Sequence, residues 1–560
     1  MQKVLTAAQM REVDRLTTER YGIPSIILME NAAHAVARVI TEKLGGSVKG
    51  KSILILCGKG NNGGDGAALA RILWQQGANV EAIIVGKVAE TKGDARINFE
   101  ILREYQRSRD IKFDFSLSFD SGSILLREYE DGEHLRKRYR PRIDPVVVVD
   151  ALLGTGVNRP ADQNLGQVIQ SGWFEERPYR DSPFEVISID LPSGVEADNP
   201  SLIGPTVQAD ITVTFTAPKT ANLFGEAGAL NGDLIIANIG TPQELVNEQD
   251  SNLFVSEKED VSTWLYGAVF EFDSYKNKRG HVLIVAGSED YSGAAVLAAN
   301  SAMRSGVGLT TLACPANAKE LIASRLLPEV ILSPVESDEF AGHLERTDAV
   351  AVGCGLDVND PKIETLVRDI VENRKTPVII DASALGFFAQ MQKPAREQGL
   401  NTQLNGLSLA DAQASAAKAP LILTPHEGEF LRLLGTNDKN TIKDRVAAVR
   451  DFSQKNNVIL VLKGERVLIG APDGRVVVNP TGNSGLGKAG NGDTLAGILA
   501  GFVAQAAKMN IDIFETVVAA VYIAGMAGDL AEQKWGKRVM TASDVRECLA
   551  ETFRTLESGD

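Results

Sequence analysis

Short apolar runs recur along the chain, several of them closing on a glycine-rich turn. An alanine-rich stretch follows, with apolar residues returning every third or fourth position. Runs of that length bounded by turn residues read as buried strands, and the stretches after them as helices. In the first half the strands are Ser52–Cys57, Asn79–Val85, Val146–Asp150, Val186–Asp190 and Ile211–Phe215. Thr6 and Gln9 form a capping box that opens a helix over residues 7–19. A second helix runs from near Pro24 to Lys43, and a third from Ala67 to Gln76. Strand, helix and strand at this spacing make a parallel βαβ unit, and α/β sheets place ligands at the carboxyl edge of their strands.

The rhythm breaks in the polar segment Thr241–Thr263 and then resumes. The second series of strands is His281–Ala286, Leu309–Ala313, Ala349–Val352, Val378–Asp381, Leu421–Thr424 and Val458–Lys463. A hairpin follows, Val467–Ile469 and Arg475–Val478, turning at Pro472-Asp-Gly474, and then a long helix over 492–507. The pattern predicts an α/β chain of two domains, 1–245 and 265–560, with 246–264 as linker. Residues 121–142 interleave acids and bases and read as an irregular, solvated insertion.

Composition narrows the classes. The 560 residues are 44% hydrophobic and 23% charged, enough for large cores, and the net charge of −15 argues against a nucleic-acid surface. Cys57, Cys314, Cys354 and Cys548 show no C-x-x-C spacing, so neither a disulfide framework nor a zinc site is expected. No signal-peptide core is read at the N-terminus, and no stretch reads as a membrane span. A soluble protein of a reducing cytoplasm is the expectation.

Two glycine-rich segments carry the candidate chemistry. The first, Gly58-Lys-Gly-Asn-Asn-Gly-Gly-Asp-Gly66, contains G-x-G-x-x-G, with Glu81 near the place of a ribose partner. A dinucleotide fingerprint wants open backbone there, whereas Asn61, Asn62 and Asp65 put side chains in it. A carboxylate at the helix mouth would repel a pyrophosphate. The segment better suits a polar, proton-exchanging group. Asp150-Ala-Leu-Leu-Gly-Thr-Gly-Val-Asn-Arg-Pro160 and Asp190-Leu-Pro-Ser-Gly194 each follow a strand and could converge on the same crevice. The second segment, Gly482-Asn-Ser-Gly-Leu-Gly-Lys-Ala-Gly-Asn-Gly-Asp493, frees amides for an anion and sets Asp493 on the first turn of a helix. Amides that stabilise a transferring phosphoryl group, beside a carboxylate that takes a proton from the attacking hydroxyl, suit phosphoryl transfer. His426, at a strand end beside Glu427 and Glu429, is a candidate for the same pocket.

Asn61-Asn-Gly-Gly-Asp-Gly66, Asp150-Ala-Leu-Leu-Gly-Thr-Gly156, Asp190-Leu-Pro-Ser-Gly194 and Met29-Glu-Asn-Ala32 together resemble the YjeF N-terminal family, the NAD(P)H-hydrate epimerases, over about residues 1–245. The resemblance implies a Rossmann-like three-layer domain. It implies that Asn61, Asn62, Gly63, Gly64, Asp65, Gly154, Thr155, Gly156, Val157, Asn158, Arg159, Pro160 and Asp190 contact the hydrated dinucleotide. It also implies a potassium ion on Asn62, Asp150 and Ser193. Asp65 or Asp190 would move protons; the residues do not choose between them.

Gly287-Ser-Glu-Asp-Tyr-Ser-Gly-Ala294, Val352-Gly-Cys-Gly-Leu356, Thr424-Pro-His-Glu-Gly-Glu429, Leu462-Lys-Gly464 and Asn479-Pro-Thr-Gly-Asn483 resemble the ribokinase-like superfamily. Within it, they resemble the ADP/ATP-dependent NAD(P)H-hydrate dehydratases. That resemblance implies substrate contacts at Ala294, Gly355, His426 and Asp493, and nucleotide contacts at Lys463, Gly464, Glu465, Arg466, Val467, Gly490, Asn491 and Gly492. Asp493 would be the base, and Mg²⁺ would accompany the ADP or ATP. Two departures stand out. Cys354 replaces the usual Pro between glycines, and Leu486-Gly-Lys-Ala-Gly-Asn-Gly-Asp493 stands where the family usually shows Met-Ala-Thr-Gly-Gly-Thr/Met-Gly-Asp. Lys488 reads either as a phosphate contact or as a solvated side chain.

The expectation is therefore an enzyme of two activities on hydrated NADH or NADPH. One domain exchanges the R and S hydrates, and the other dehydrates the S form through a phosphorylated intermediate. A homo-oligomer is expected, with no nucleic-acid or membrane partner. The alternative is a small-molecule kinase of the ribokinase superfamily carrying a non-catalytic ligand-binding module.

Overall fold

A computed structural model of the protein describes residues 1–110, 122–133, 135, 141–171, 173–174, 184–391 and 418–558. The chain divides into two compact units, Lys3–Ser251 and Asn252–Asp560 together with Met1–Gln2.

The first unit is built on a parallel sheet of seven strands. Their spatial order is Ile124–Tyr129, Asn79–Val85, Ser52–Cys57, Val147–Ala151, Glu185–Ile189, Ile211–Phe215 and Asp233–Ala237. Alternate residues of a strand feed opposite faces. Ile53 and Ile55 enter the core formed with helices Ser25–Lys43, Asn61–Gln75 and Gly93–Asp110, while Leu54 and Leu56 join Val168, Ile169 and Phe174 on the other side. Three layers result, and both faces are covered, which is why the strands read as unbroken apolar runs. The chain reverses its direction of travel across the sheet between Ser52–Cys57 and Val147–Ala151. Such a switch point opens a crevice beyond the carboxyl ends of the two strands.

The second unit carries the larger sheet. Strands Ile331–Pro334, Leu309–Cys314, His281–Val285, Ala349–Val352, Val378–Ile380, Leu421–Leu423 and Ile459–Leu462 run parallel in that order. Leu468–Gly470 and Val476–Val478 extend it as the antiparallel hairpin expected, and Leu253–Val255 pairs with the hairpin's outer strand. The switch point here lies between His281–Val285 and Ala349–Val352.

Several elements differ from the sequence reading. The glycine-rich segment before Ala67 is not an open loop: the helix begins at Asn61. Glycine is disfavoured inside helices, but here it is required for contact. A Cβ on Gly63 would lie 1.9 Å from the Gly58 carbonyl oxygen, and one on Gly64 would lie 2.7 Å from Ala95 Cα. The supposed insertion at 121–142 contains the edge strand Ile124–Tyr129, and its residues 121, 134 and 136–140 lie outside the described residues. The segment taken as a linker, 246–264, contains strand Leu253–Val255 and most of helix Lys258–Gly267, both in the second unit. Helix Ile513–Trp535 is long and apolar enough to span a bilayer, against the reading that no stretch is. Val517, Ala520, Ile523, Ala527 and Ala531 bury it in the core of the second unit.

Helix Asn491–Met509 leans on helix Ser292–Arg304 so closely that a Cβ on Gly497 would lie 2.1 Å from the Ala298 carbonyl oxygen. Gly497→Ala must push two buried helices apart. It is expected to destabilise the fold by about 1–3 kcal/mol, read as a lower urea midpoint of the full chain; an unchanged midpoint would show that the helices yield freely.

Candidate active sites

The crevice predicted by the switch point in the first unit is a cleft of about 1090 Å³. Asn61, Asn62 and Asp65 line it from the helix start. Gly154, Thr155, Gly156, Val157, Asn158, Arg159 and Pro160 line it from the loop after Val147–Ala151, and Asp190 from the end of the next strand. Gly63 and Gly64 are buried in the helix contacts instead. Gly58 sets the spacing, because a Cβ there would lie 1.9 Å from the Leu152 carbonyl oxygen.

Asp65 is buried, and among the described residues nothing donates a hydrogen bond to its carboxylate. Burial pushes its pKa well above the usual carboxylate range, and the charges of Asp190 and Asp14 add to the effect. Asp190 stands differently. Its Oδ1 accepts from Lys219 Nζ at 2.6 Å and from Thr214 Oγ1 at 3.1 Å. Lys219 is itself buried and donates also to Thr214 Oγ1 at 2.9 Å. Asp190 adopts φ +67°, left-handed backbone that a non-glycine residue takes at a cost. The cleft thus holds one carboxylate tied to a cation and another that is driven to keep a proton.

Below this pair lies a second node. Asp150 is fully buried; Oδ2 accepts from Ser188 Oγ at 2.9 Å and Ser193 N at 2.8 Å, and Oδ1 from Ser193 Oγ at 2.5 Å and Leu152 N at 3.3 Å. Burial raises its pKa against those hydrogen bonds. Asn62 Nδ2 donates to the Leu153 carbonyl at 2.8 Å, and Ser193 Oγ accepts from Leu153 N at 2.8 Å. The proposed metal residues Asn62, Asp150 and Ser193 are therefore joined around one turn of backbone.

Sequence reasoning missed Asp14 and Lys219, both of which line the cleft. Lys219 follows a strand end, a signal that could have found it; Asp14 sits in helix Ala7–Tyr21 with nothing to mark it. Glu81 is not a ribose partner. It is buried within its strand, pairs with Arg127 Nε at 2.9 Å and accepts from Arg142 N at 2.8 Å.

In the second unit the strand ends again gather the site. Asp381 follows strand Val378–Ile380 and is buried. Its Oδ1 accepts from Lys463 Nζ at 2.8 Å and Thr424 Oγ1 at 2.7 Å, and its Oδ2 faces the Cys354 thiol at 3.8 Å. One ligating atom each of Cys354, Asp381 and Asp493 lie within 4.8 Å of one another. Asp493 is on the first turn of helix Asn491–Met509, whose N-cap is Gly490 at φ +91°. Burial, then the Asp381 charge, raise the pKa of Asp493 to about 6. Burial opposes the charge of Lys463, but Asp381 outweighs it and the lysine's pKa rises.

The structure brings most of the predicted residues here together. A Cβ on Gly355 would lie 2.9 Å from Ala294 Cβ, and one on Gly492 would lie 3.4 Å from Lys463 Nζ. Lys463 N donates to the Pro425 carbonyl at 2.8 Å, which sets His426 beside Lys463. His426 is exposed and caps helix Glu427–Leu434, its Nδ1 accepting from Gly428 N and Glu429 N. Gly464 to Val467 form the turn after Lys463. Arg445 Nη2 donates to the Arg466 carbonyl at 3.1 Å, and Arg466 Nη1 to the Pro480 carbonyl at 2.7 Å. Lys488 is exposed, and its ammonium donates to the carbonyls of Arg538 and Met540 at 2.5 and 2.9 Å. Asp381 and Thr424 were not singled out as site residues.

Comparison with known proteins decides the family. The profile described as YjeF-related protein N-terminus matches residues 25–221, and that described as NAD(P)H-hydrate dehydratase matches residues 282–551. The protein named bifunctional NAD(P)H-hydrate repair enzyme Nnr of Moorella thermoacetica is 35% identical over 99% of this chain and 97% of its own. Its namesake in Salinibacter ruber is 31% identical over 98% and 95%. The chain belongs to the family of bifunctional NAD(P)H-hydrate repair enzymes. Among solved structures, the ADP/ATP-dependent NAD(P)H-hydrate dehydratase of Bacillus subtilis, co-crystallised with ATP/Mg²⁺, is 28% identical. It covers 55% of this chain and 99% of its own, with a TM-score of 0.44.

The Lys219–Asp190 pair gives a stability prediction. Lys219→Met leaves a carboxylate in the cleft wall without its cation and is expected to cost about 3–5 kcal/mol, read by urea unfolding. A loss below about 1 kcal/mol, the range of an exposed pair, would show that Asp190 is held by other contacts.

Proposed function

We propose that this protein repairs hydrated NADH and NADPH, exchanging the R and S hydrates in the first unit and dehydrating the S hydrate in the second at the expense of ADP or ATP. The observation that carries the reading is the same in both crevices. A carboxylate whose pKa burial raises stands beside a second carboxylate already tied to a lysine: Asp65 beside Asp190–Lys219, and Asp493 beside Asp381–Lys463. Such a pair separates acid from base within one pocket.

In the first unit Asp65 serves as the proton donor and Asp190, oriented by Lys219 and Thr214, as the acceptor. Gly154–Pro160 and Asn61 supply the surface that holds the dinucleotide. The oxygen donors of Asn62, Asp150 and Ser193 suit a hard monovalent cation such as K⁺. Among the described residues the donors to the buried Asp150 carboxylate are all neutral, so a cation would compensate its charge. Potassium there would supply positive charge behind the loop 152–160.

In the second unit Asp493 takes the proton of the substrate hydroxyl as it attacks the terminal phosphoryl group. The amides of Gly490, Asn491 and Gly492 at the helix start stabilise the transferring charge. Phosphate is a far better leaving group than hydroxide, so elimination from the phosphorylated hydrate restores the dihydropyridine. Lys463–Val467 form the nucleotide side of the pocket, and Ala294, Gly355 and His426 the substrate side. The donor set nearest the helix start, Cys354 with Asp381 and Asp493, includes a thiol and a carboxylate already paired to Lys463. It does not suit Mg²⁺, which demands oxygen ligands in octahedral array. The Mg²⁺ expected with the nucleotide belongs on its phosphates.

Two outcomes follow. With Mg²⁺, K⁺ and a mixture of both hydrates, the near-ultraviolet absorbance of reduced nicotinamide should return completely with ADP or with ATP. Return that stops at the S fraction would remove the epimerase. A stable phosphorylated product would point to a small-molecule kinase. A base must be ionised to act, so dehydratase kcat should fall as pH drops through about 6, the raised pKa of Asp493. A profile flat down to pH ~4.5, below any such raised value, would remove Asp493 as the base.

A further inference from the structure

Asp381 is not among the residues that the glycine loop, the histidine or the lysine turn brought forward, yet it stands at the centre of the second site. It follows strand Val378–Ile380 directly and is succeeded by Ala382 at φ +48°, left-handed backbone carried by a residue with a side chain. Gly353 must lack a Cβ for the same turn, since one would lie 1.8 Å from the Asp381 carbonyl oxygen. Three strand ends therefore converge on this carboxylate: Cys354 from the first, Thr424 from the second and Lys463 from the third. Strained backbone held by its surroundings at a strand end marks a position fixed for function rather than for packing.

The groups that face Asp493 among the described residues are two charges, Asp381 and Lys463, and the neutral thiol of Cys354, which hydrogen-bonds to it. Only one is a cation, and its Nζ lies on Asp381 Oδ1 at 2.8 Å. The other Asp381 oxygen, Oδ2, lies 3.9 Å from where a Cβ on Gly492 would sit, next to Asp493 in the chain. The structure assigns Asp381 as the positioning residue of the dehydratase site: it takes the lysine, turns its second oxygen toward the helix start, and leaves Asp493 as the carboxylate that exchanges a proton with substrate. The assignment rests on Asp493 being the base. Like charge from Asp381 favours the protonated form of Asp493, and Lys463 opposes it. The two neighbours therefore bias the same proton in opposite directions. A lysine on Asp381 rather than on Asp493 leaves the base free to turn to the hydroxyl.

The test is the pH dependence of dehydratase kcat in the full chain, with the S hydrate and saturating nucleotide. Asp381→Asn removes the repulsion and frees Lys463, so the acid limb should move to lower pH by about one unit, the scale of a close charge. Lys463→Met should move the limb to higher pH, and Asp381→Glu should keep it near the wild-type position. A Asp381→Asn enzyme slowed by the same factor at every pH, with its limb unmoved, would overturn the assignment by showing a merely structural role. Should that variant fail to fold, Lys463→Met decides alone: an upward shift supports the assignment and an unmoved limb overturns it. Asp493→Asn separates the two levels. If it is inactive while the limbs of the other variants stay fixed, only the positioning role falls. If it is fully active, the base reading falls and the positioning role falls with it.

Discussion

Two carboxylates cannot share a dry crevice at neutral pH and both remain ionised without a counter-charge. Each site in this protein holds such a pair, joined in the first cleft by Asp14, and supplies one lysine to one member. Lys219 goes to Asp190 and Lys463 to Asp381, and the unpaired partners, Asp65 and Asp493, are the groups whose pKa burial raises. The assignment of the lysine settles which carboxylate is fixed and which one handles protons. The rest of each site is arranged around that choice.

The sheets make the arrangement possible. In both units the paired aspartate stands just past the carboxyl end of a parallel strand; Lys219 follows the end of the neighbouring strand, and Lys463 the end of the next strand but one. Lys219 is buried along with its aspartate and Lys463 is half-buried, and both ion pairs are short. The backbone bears some of the cost: Asp190 itself, and Ala382 after Asp381, are left-handed at positions without glycine. The unpaired aspartate comes instead from the start of a helix, Asp65 from Asn61–Gln75 and Asp493 from Asn491–Met509. Helix starts attract anions, so ligand phosphate and catalytic carboxylate compete for the same field.

Much of this was legible in the chain. Parallel strands covered on both faces announce themselves as apolar runs, and the strands Ser52–Cys57, Asn79–Val85, Ile211–Phe215 and Ala349–Val352 fall where the pattern put them. Strands of few residues, such as Leu253–Val255, leave too short a run to read. The helix start at Asn61 was misplaced because propensity counts glycine against a helix, whereas here Gly63 and Gly64 are there to let backbones meet. Asp65, Asp190 and Asp493 were marked by their glycine-rich surroundings. Asp14, Lys219, Asp381 and Thr424 were not: the last three matter through contacts among strand ends, and Asp14 through a helix that only the fold brings to the cleft. Lys488 shows the converse: a cation in a glycine loop invites a phosphate, yet the fold uses it to tie that loop to Arg538 and Met540.

The most direct measurement gives the pure R hydrate to the wild-type chain and to Asp65→Asn and Asp493→Asn, first without nucleotide and then with it. Wild type should form the S hydrate faster than a protein-free control and, once nucleotide is added, return all of it to reduced nicotinamide. Asp65→Asn should leave the R hydrate at the control rate while still dehydrating added S hydrate. Asp493→Asn should exchange R and S but restore no absorbance. If either substitution abolished both reactions in a folded chain, or left both intact, one proton-holding aspartate per reaction would be wrong.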